Sequence, residues 1–284
     1  MYSRAYIEIT NICNMNCSFC HGHSRPARKM TVDEFNTVLN KLQGATKYLY
    51  FHLMGEPLTH PDLPTFIKMA HERGFKPMIT TNGTLLSRRG AELLDVTGQD
   101  GKTPCLHKIN ISLHSFEGEN SEKYKKYLSE ISDFAKKASS EGTIVVLRLW
   151  NKGFDGGNND IALDYLRSSI DGEWAENTRG LRIREKLFLE WGDRFGWPDK
   201  EAELFGDEVT CYGLRDHFGI LSDGTVVPCC LDHEGDIALG NLFETDLEEI
   251  ITSPRAQAIL QGFSNGCAAE ELCRKCGYAR TKFG

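Results

Sequence analysis

Hydrophobic and polar positions alternate along the first two thirds of the chain in a pattern that predicts strands separated by helices. Between the strands, apolar residues recur at helical spacing, as in the segment 31–42, which opens with a capping box of Thr31 and Glu34. Because strands that alternate with helices of this length form parallel βαβ units, the pattern predicts an α/β fold with a partial (β/α)6 TIM-like barrel. Functional residues are then expected on loops at the carboxyl ends of the strands. The six strands are predicted at 5–10, 48–54, 77–80, 108–113, 143–150 and 187–191.

The pattern changes near residue 205. A β-hairpin is predicted at 218–227, and two short helices are expected between 247 and 261. This segment is too small to bury a large core, so a metal cluster would supply the missing cross-link. We therefore predict a partial barrel at 1–204 and a small domain of a hairpin plus helices at 205–284, which binds a cluster.

Composition narrows the class of protein. The chain has 284 residues, of which 40% are hydrophobic and 26% are charged, as in an ordinary globular protein. The net charge of -7 argues against broad nucleic-acid binding, because phosphate contacts need clustered Lys and Arg. There is no run of 18 apolar residues and no signal peptide, which predicts a cytoplasmic protein without a membrane partner.

Ten cysteines stand in this chain. Since the cytosol keeps thiols reduced, cluster ligation, metal ligation or catalysis is expected for them rather than disulfides. They form two groups far apart in sequence, which suggests two metal centres. The first group is Cys13, Cys17 and Cys20, Cys105 stands alone, and the second group is Cys211, Cys229, Cys230, Cys267, Cys273 and Cys276.

The first group has the spacing C-x3-C-x2-C and directly follows the first predicted strand. This spacing supplies three thiolates to a four-iron cluster and leaves one iron open to another ligand. The alternative is a zinc site with His21 or His23 as its fourth ligand. Further matches downstream favour the iron–sulfur interpretation.

With Phe19 before the third cysteine, this stretch resembles the signature of the radical S-adenosylmethionine (SAM) enzymes. The resemblance implies that SAM fills the open iron site, with Phe19 near the cofactor. An electron from a reductant such as flavodoxin or ferredoxin would then cleave SAM to methionine and a 5'-deoxyadenosyl radical, which abstracts a hydrogen atom from the substrate.

Four later segments also resemble the family and imply SAM contacts at Gly55, Glu56, Asn82, Ser112 and Arg148. Met-Gly-Glu-Pro at 54–57 is similar to the GGEP motif, whose carboxylate and backbone hold the amino group of SAM. Three of these matches have a simpler explanation: a Gly-Pro turn at 54–57, an Asn-Gly turn at 82–83 and a surface salt bridge for Arg148. Relatives often carry Asp-Gly where this chain has His-Ser at 114–115.

The second group resembles the SPASM and Twitch extensions of radical SAM enzymes. Cys211 is followed by Gly224 and Cys229 at the spacing that opens these domains, and Cys273 and Cys276 resemble the closing pair of a Twitch domain. The resemblance implies one auxiliary four-iron cluster on these four cysteines, in addition to the SAM-binding cluster.

Cys230, Cys105 and Cys267 are left over, and a spare cytosolic cysteine is most often a small buried hydrophobe. Sulfatase-maturating enzymes carry a catalytic Asp at the position of Cys230. The thiol there makes their reaction a poorer match and provides a possible hydrogen donor.

The leading prediction is a two-electron oxidation, that is, a dehydrogenation, of a small molecule with the auxiliary cluster as electron acceptor. This is the chemistry of the Twitch-containing dehydrogenases of amino-sugar alcohols. The alternatives are an epimerase that uses Cys230 as hydrogen donor and an enzyme that modifies a peptide. A different class is an iron–sulfur protein for electron transfer or redox sensing.

Overall fold

The computed structural model describes residues 1–116 and 121–283. The strands, in chain order, are β1 Arg4–Ile7, β2 Tyr48–Phe51, β3 Lys76–Thr81, β4 Lys108–Ser112, β5 Ile144–Lys152, β6 Ala175–Asn177, β7 Gly180–Arg184, β8 Leu187–Asp193, β9 His217–Ile220, β10 Thr225–Val227 and β11 Gly240–Asn241. The helices are α1 Val32–Lys41, α2 Leu63–Glu72, α3 Leu86–Leu94, α4 Ser121–Ser140, α5 Asn158–Ser169, α6 Leu247–Thr252, α7 Pro254–Ser264, α8 Glu271–Arg274 and α9 Gly277–Phe283.

The chain divides into two compact units. The first comprises residues 1–13, 21–55 and 195–284, and the second comprises residues 14–20 and 56–194. Among the described residues, no helix is long and apolar enough to cross a membrane. The division predicted at residues 204 and 205 stays a prediction.

In the first unit, β1 lies between two parallel neighbours, β2 and β9. The strand β9 then pairs antiparallel with β10, and β10 with β11. The predicted hairpin therefore forms, but it extends the sheet that contains β1. The strand β1 ends at Ile7, earlier than predicted, because the backbone beyond it bonds to the loop that follows the cysteines, as when Met30 N donates to Ile9 O at 2.8 Å.

In the second unit, β3, β4, β5 and β8 are all parallel, and β8 carries the antiparallel pair β7 and β6. The parallel strands match the predicted ones. The strands β6 and β7 were not predicted, because their side chains are mostly half-buried or exposed and leave no dense apolar run. Helix α4 buries its predicted apolar stripe, which consists of Tyr124, Tyr127, Leu128, Ile131, Phe134, Ala135 and Ala138.

Helix α1 illustrates how local sequence determines these elements. Thr31 Oγ1 accepts a hydrogen bond from Glu34 N at 3.2 Å, and Glu34 Oε2 accepts one from Thr31 N at 2.8 Å. This is the predicted capping box, which satisfies two backbone donors at the helix start. The buried face of the helix places Phe35 edge-on against Phe51 of β2, with ring centroids 5.4 Å apart.

Candidate active site

The three N-terminal cysteines lie on the loop between β1 and α1. Cys13 is the last residue of the first unit in this part of the chain, whereas Cys17 and Cys20 belong to the second. Cys17 Sγ lies 3.6 Å from the carbonyl oxygen of Ser115, and Cys20 N donates to Cys17 O at 3.1 Å. A cavity of the second unit opens beside Cys17. Its lining is mostly polar: Asn14, Met15, Asn16, Cys17, Ser18, Thr84, Ser115 and Phe116.

Glu56 lies just beyond β2 and is buried. Its carboxylate accepts hydrogen bonds from Thr81 Oγ1 at 2.7 Å, from Asn82 N at 2.7 Å and from Leu58 N at 3.0 Å. Burial raises the pKa of Glu56 to about 7, although these hydrogen bonds oppose the shift. A cationic group beside this carboxylate would therefore stabilise its ionised form, which burial alone disfavours.

Asn82 follows β3 and belongs to a short polar network. Its Nδ2 donates to Asn14 Oδ1 at 3.0 Å, and its Oδ1 accepts from Thr84 N at 2.9 Å. Asn14 Nδ2 in turn donates to Thr84 Oγ1 at 2.9 Å. The network connects the predicted Asn82 to the cysteine loop one residue after Cys13. Asn14 and Thr84 were not singled out from the sequence.

Ser112 and Arg148 stand directly opposite each other in the ladder between β4 and β5. The Cζ atom of Arg148 lies 4.4 Å from the centroid of the Trp150 ring. A guanidinium over an indole is held by a cation–π interaction, which is stronger where water is excluded. The structure therefore brings these two predicted residues to one place at the carboxyl end of the sheet.

His114 and Ser115 stand where relatives often have Asp-Gly, and both are buried. The ring of His114 lies against Phe19, with centroids 4.7 Å apart, and Trp150 N donates to His114 Nδ1 at 3.3 Å. Ser115 offers its backbone carbonyl to Cys17, a contact that any residue at this position could make, whereas the ring contact with Phe19 depends on His114.

Gly55 owes its identity to a close backbone approach within the first unit. A Cβ atom there would lie 2.4 Å from Thr10 O and 2.8 Å from the carbonyl carbon of Asn11, and its φ of +76° is in the left-handed region. The glycine thus packs against the chain that leads into Cys13. This observation explains the glycine by packing, and a contact with SAM stays a prediction.

Four of the C-terminal cysteines line one cavity in the first unit: Cys211, Cys229, Cys273 and Cys276. Most of the remaining wall is apolar and includes Pro198, Val209, Pro228, Ile237, Phe263, Leu272 and Ala279. We call these four cysteines the cysteine cage. Burial raises the pKa of the Cys229 and Cys273 thiols, so thiolates there need positive charge nearby. Within the described residues, no three His, Cys, Asp or Glu side chains gather closely enough to hold a single metal ion.

A family model described as the radical SAM superfamily matches residues 7–151, just over half of the chain. The chain belongs to the radical SAM superfamily. A second model, described as an iron–sulfur cluster-binding domain, matches residues 211–277, which include the whole cysteine cage. The resemblance found in the sequence is thereby confirmed for both parts.

Among curated proteins, this radical SAM chain is similar to AlbA, the antilisterial bacteriocin subtilosin biosynthesis protein of Bacillus subtilis strain 168. The two are 23% identical over 305 residues, covering 96% of this chain and 65% of AlbA. The chain spans 33%, 43% and 65% of the lengths of the first three curated relatives it matches.

Two solved structures share the fold. BtrN in complex with AdoMet and 2-DOIA aligns with a TM-score of 0.55 at 17% identity, covering 97% of this chain and 93% of BtrN. SuiB of Streptococcus suis aligns with a TM-score of 0.59 at 17% identity, covering 98% of this chain and 72% of SuiB. The predicted fold class, α/β with a partial barrel, is confirmed by this likeness.

Membership of the superfamily implies a SAM-binding [4Fe–4S] cluster and, with the second domain, auxiliary iron–sulfur ligation. The donor set of the cysteine cage fits an auxiliary cluster, because four thiols surround one largely apolar cavity. The polar cavity beside Cys17 and the buried carboxylate of Glu56 fit a zwitterionic cofactor such as SAM. The ligand and contact roles of individual residues remain predictions.

Cys230 follows Cys229 directly and is half-buried. It packs with Tyr6 against Leu53, Leu221 and Val227. Burial raises the pKa of the Cys230 thiol to about 12, and the Tyr6 side chain opposes this shift. The other spare cysteines differ, since Cys105 is buried and Cys267 is exposed.

Sequence reasoning missed the residues that support the site from a distance. The sequence analysis does not single out Thr81 or Ser115, because their bonds to Glu56 and Cys17 depend on the fold. Glu8 was read only as part of the first strand, although it is buried and paired with Arg25. An acidic residue inside an otherwise apolar strand is the one sequence signal that pointed to it.

Proposed function

We propose that this protein is a radical SAM enzyme that abstracts a hydrogen atom from a small molecule and completes a two-electron oxidation. The observation that supports this most is the cysteine cage, whose four thiols line one cavity in a chain that belongs to the radical SAM superfamily. When bound, SAM and its cluster supply a 5'-deoxyadenosyl radical, and the auxiliary cluster provides an acceptor for one electron. A cytoplasmic reductant of the flavodoxin or ferredoxin class would deliver the electron that starts turnover.

In this proposal, Cys13, Cys17 and Cys20 hold the SAM-binding cluster, and Cys211, Cys229, Cys273 and Cys276 hold the auxiliary cluster. Glu56 accepts a hydrogen bond from the amino group of SAM, and its present donors Thr81 and Asn82 keep the carboxylate in place. Arg148, held over Trp150 opposite Ser112, pairs with the carboxylate of SAM. Phe19, Gly55 and Asn82 complete the proposed cofactor contacts.

Epimerisation is the second candidate, and the surroundings of Cys230 favour it. Leu53, Leu221 and Val227 carry no exchangeable hydrogen, whereas the thiol and the hydroxyl of Tyr6, which packs against the same residues, both do. If Cys230 gives its hydrogen atom to the substrate radical, the S–H bond breaks and a C–H bond forms on the substrate. One electron and one proton must then restore the thiol.

A peptide is the alternative substrate class. AlbA takes its name from the biosynthesis of a bacteriocin, and SuiB has been solved bound to the precursor peptide SuiA. BtrN, which aligns over nearly its whole length, has been solved with 2-DOIA. Because this chain spans 93% of BtrN and 72% of SuiB, we place the small molecule first.

The proposal is tested with anaerobically reconstituted, reduced protein. It should convert SAM to 5'-deoxyadenosine, whereas the variant with Cys13, Cys17 and Cys20 all changed to Ala should not. Clusters without any SAM cleavage under strong reductant would place the protein in the electron-transfer or redox-sensing class. With a substrate in hand, oxidation gives a product two hydrogens lighter than the substrate. Epimerisation gives a product of unchanged mass in H2O and one mass unit heavier in D2O, because one solvent deuterium enters.

A further inference from the structure

Glu8 is a buried carboxylate that follows β1, and its side chain has no exposed area. Arg25 meets it in a bidentate pair, with Nη1 to Oε1 at 2.8 Å and Nη2 to Oε2 at 2.6 Å. Ser222 adds two donors to Oε1, its backbone N at 3.1 Å and its Oγ at 2.9 Å. Met54 N donates to Oε2 at 3.3 Å. We call Glu8, Arg25 and Ser222 the Glu8 clasp.

The groups that donate hydrogen bonds to Glu8 come from three segments of the first unit. Arg25 lies five residues after Cys20, on the loop that leads away from the cysteines. Met54 directly precedes Gly55 and Glu56, and Ser222 lies between Cys211 and Cys229. One carboxylate therefore touches the cysteine loop, the segment that leads into the proposed amino-group site, and the turn of the C-terminal hairpin.

Further hydrogen bonds join the loop after the cysteines to the C-terminal hairpin and the residues that follow it, so this contact does not depend on Glu8 alone. Arg25 Nε donates to His233 O at 2.7 Å, and Arg28 Nε donates to Ser222 O at 2.9 Å. Ser24 bonds to the carboxylate of Glu234 through its N at 2.6 Å and its Oγ at 2.9 Å. The loop after the cysteines is thus held by residues on both sides of Cys229.

We propose that Glu8 is a positioning residue for SAM binding, because it holds the loop behind Cys20 and the Met54 segment to the C-terminal hairpin. The inference rests on the proposed function, since it takes SAM as the ligand at that place. Glu8 is 48 residues from Glu56 in sequence and does not itself serve as a cofactor ligand in this assignment. Its effect passes through the loop and through the backbone at Met54.

The physical reason is the cost of a buried charge without its partner. Glu8→Gln keeps the shape of the side chain but places an amide NH2 against donors, so that one arm of Arg25 or the Ser222 pair loses its acceptor. Neutralising one partner of a buried ion pair leaves the charge of the other partner uncompensated. We expect the segments to shift relative to each other and the cofactor geometry to loosen. Mutation of residues that orient a ligand in this way typically lowers the binding affinity by about 10-fold or more.

The experiment uses reconstituted full-length protein and SAM itself as the probe. Iron content, SAM affinity and the SAM-induced change in the EPR signal of the reduced cluster are measured for wild type, Glu8→Gln and Ser222→Ala. Glu8→Gln should keep its iron and bind SAM about 10-fold more weakly. Ser222→Ala, which removes one neutral donor, should weaken SAM binding by about threefold with full iron and intact folding.

Glu34→Gln is the matched control, because the Glu34 carboxylate pairs with Arg28 of the same loop but bonds, among the described residues, only to Arg28 and Thr31. It should change SAM affinity less than about twofold. Full iron with wild-type SAM affinity in Glu8→Gln would overturn the inference. If Glu8→Gln loses iron, Ser222→Ala decides: weaker SAM binding supports the inference, and wild-type affinity overturns it. Failure of the wild-type protein to bind SAM would instead overturn the proposed function.

Discussion

Tyr6 of β1 and Cys230, the residue after the proposed ligand Cys229, pack against the same buried cluster of Leu53, Leu221 and Val227. The ring of His217 stands edge-on to that of Tyr6, with centroids 5.5 Å apart. Burial lowers the pKa of His217 to about 4, so this histidine is neutral near pH 7. Cys230 therefore lies near the polar side chains of Tyr6 and Arg4 as well as the apolar cluster, and differs from a cysteine that packs against apolar residues alone.

We predict that Cys230→Ala holds as much iron as the wild type and still makes 5'-deoxyadenosine. The reason is that the four thiols of the cysteine cage line the cavity without Cys230. Iron analysis and chromatography of the SAM products check both parts. Loss of about four irons would make Cys230 a cluster ligand and contradict the assignment of Cys211 or Cys229.

The same variant separates the two fates of the substrate radical once a substrate is known. A dehydrogenase needs only an electron acceptor and a base, so Cys230→Ala should turn over nearly normally, as in our leading proposal. An epimerase should lose its product and its solvent deuterium, while 5'-deoxyadenosine still forms. Cys105→Ala, at a buried cysteine of the second unit, is the matched control and should behave as wild type in either case.

The cysteine cage also predicts the number of irons that the protein binds. The wild type should hold about eight irons in two four-iron clusters, and Cys273→Ala with Cys276→Ala should leave about four. Cys267→Ala should keep all of them, because Cys267 is exposed and does not line the cavity. Equal iron loss in the Cys267 variant, or zinc in place of iron at the cage, would contradict this assignment.

The strands of the parallel sheet could be predicted from the sequence because their buried residues form apolar patterns. The strands β3, β4 and β5 each bury three residues in a row, and β1 and β2 bury every second residue. The strands β6 and β7 could not be predicted, since they form an antiparallel edge with few buried side chains. The parallel pairing of β9 with β1 joins residues more than two hundred positions apart and has no local signal.

The cysteines of the candidate site could be predicted because ligand spacing is itself a sequence pattern. The contacts that hold the surrounding loops in place could not be predicted. The bonds from Ser222 to Glu8 span 214 residues, and the bond from Cys17 to the Ser115 carbonyl spans 98. A backbone carbonyl or amide carries no side-chain identity, so no residue type at those positions indicates its role.

Glu56 gives a prediction for stability against pH. Burial raises the pKa of this carboxyl from 4.5 to about 7. Between those values the folded protein keeps a proton that the unfolded chain has released, so the free energy of unfolding falls as pH rises through this window. Glu56→Gln removes this contribution. Urea unfolding of the cluster-free proteins at pH 4.5 and pH 8 should show the wild type losing about 3 kcal/mol relative to the variant. A constant difference between the two proteins at all pH values would contradict the prediction.

The last prediction isolates the close approach at Gly55 by comparison with Gly44, which has the same φ of +76°. A Cβ at Gly44 meets nothing within 4 Å, so Gly44→Ala should cost only the left-handed backbone, about 1 kcal/mol. At Gly55 the added Cβ would meet the backbone of Thr10 and Asn11, at 2.4 Å from Thr10 O, and backbone atoms cannot rotate away as a side chain can. Gly55→Ala should therefore lower the free energy of unfolding by about 2 kcal/mol more than Gly44→Ala, measured by denaturant unfolding of the cluster-free proteins. Equal losses in the two variants would mean that the chain before Cys13 shifts easily, and the packing explanation for this glycine would be wrong.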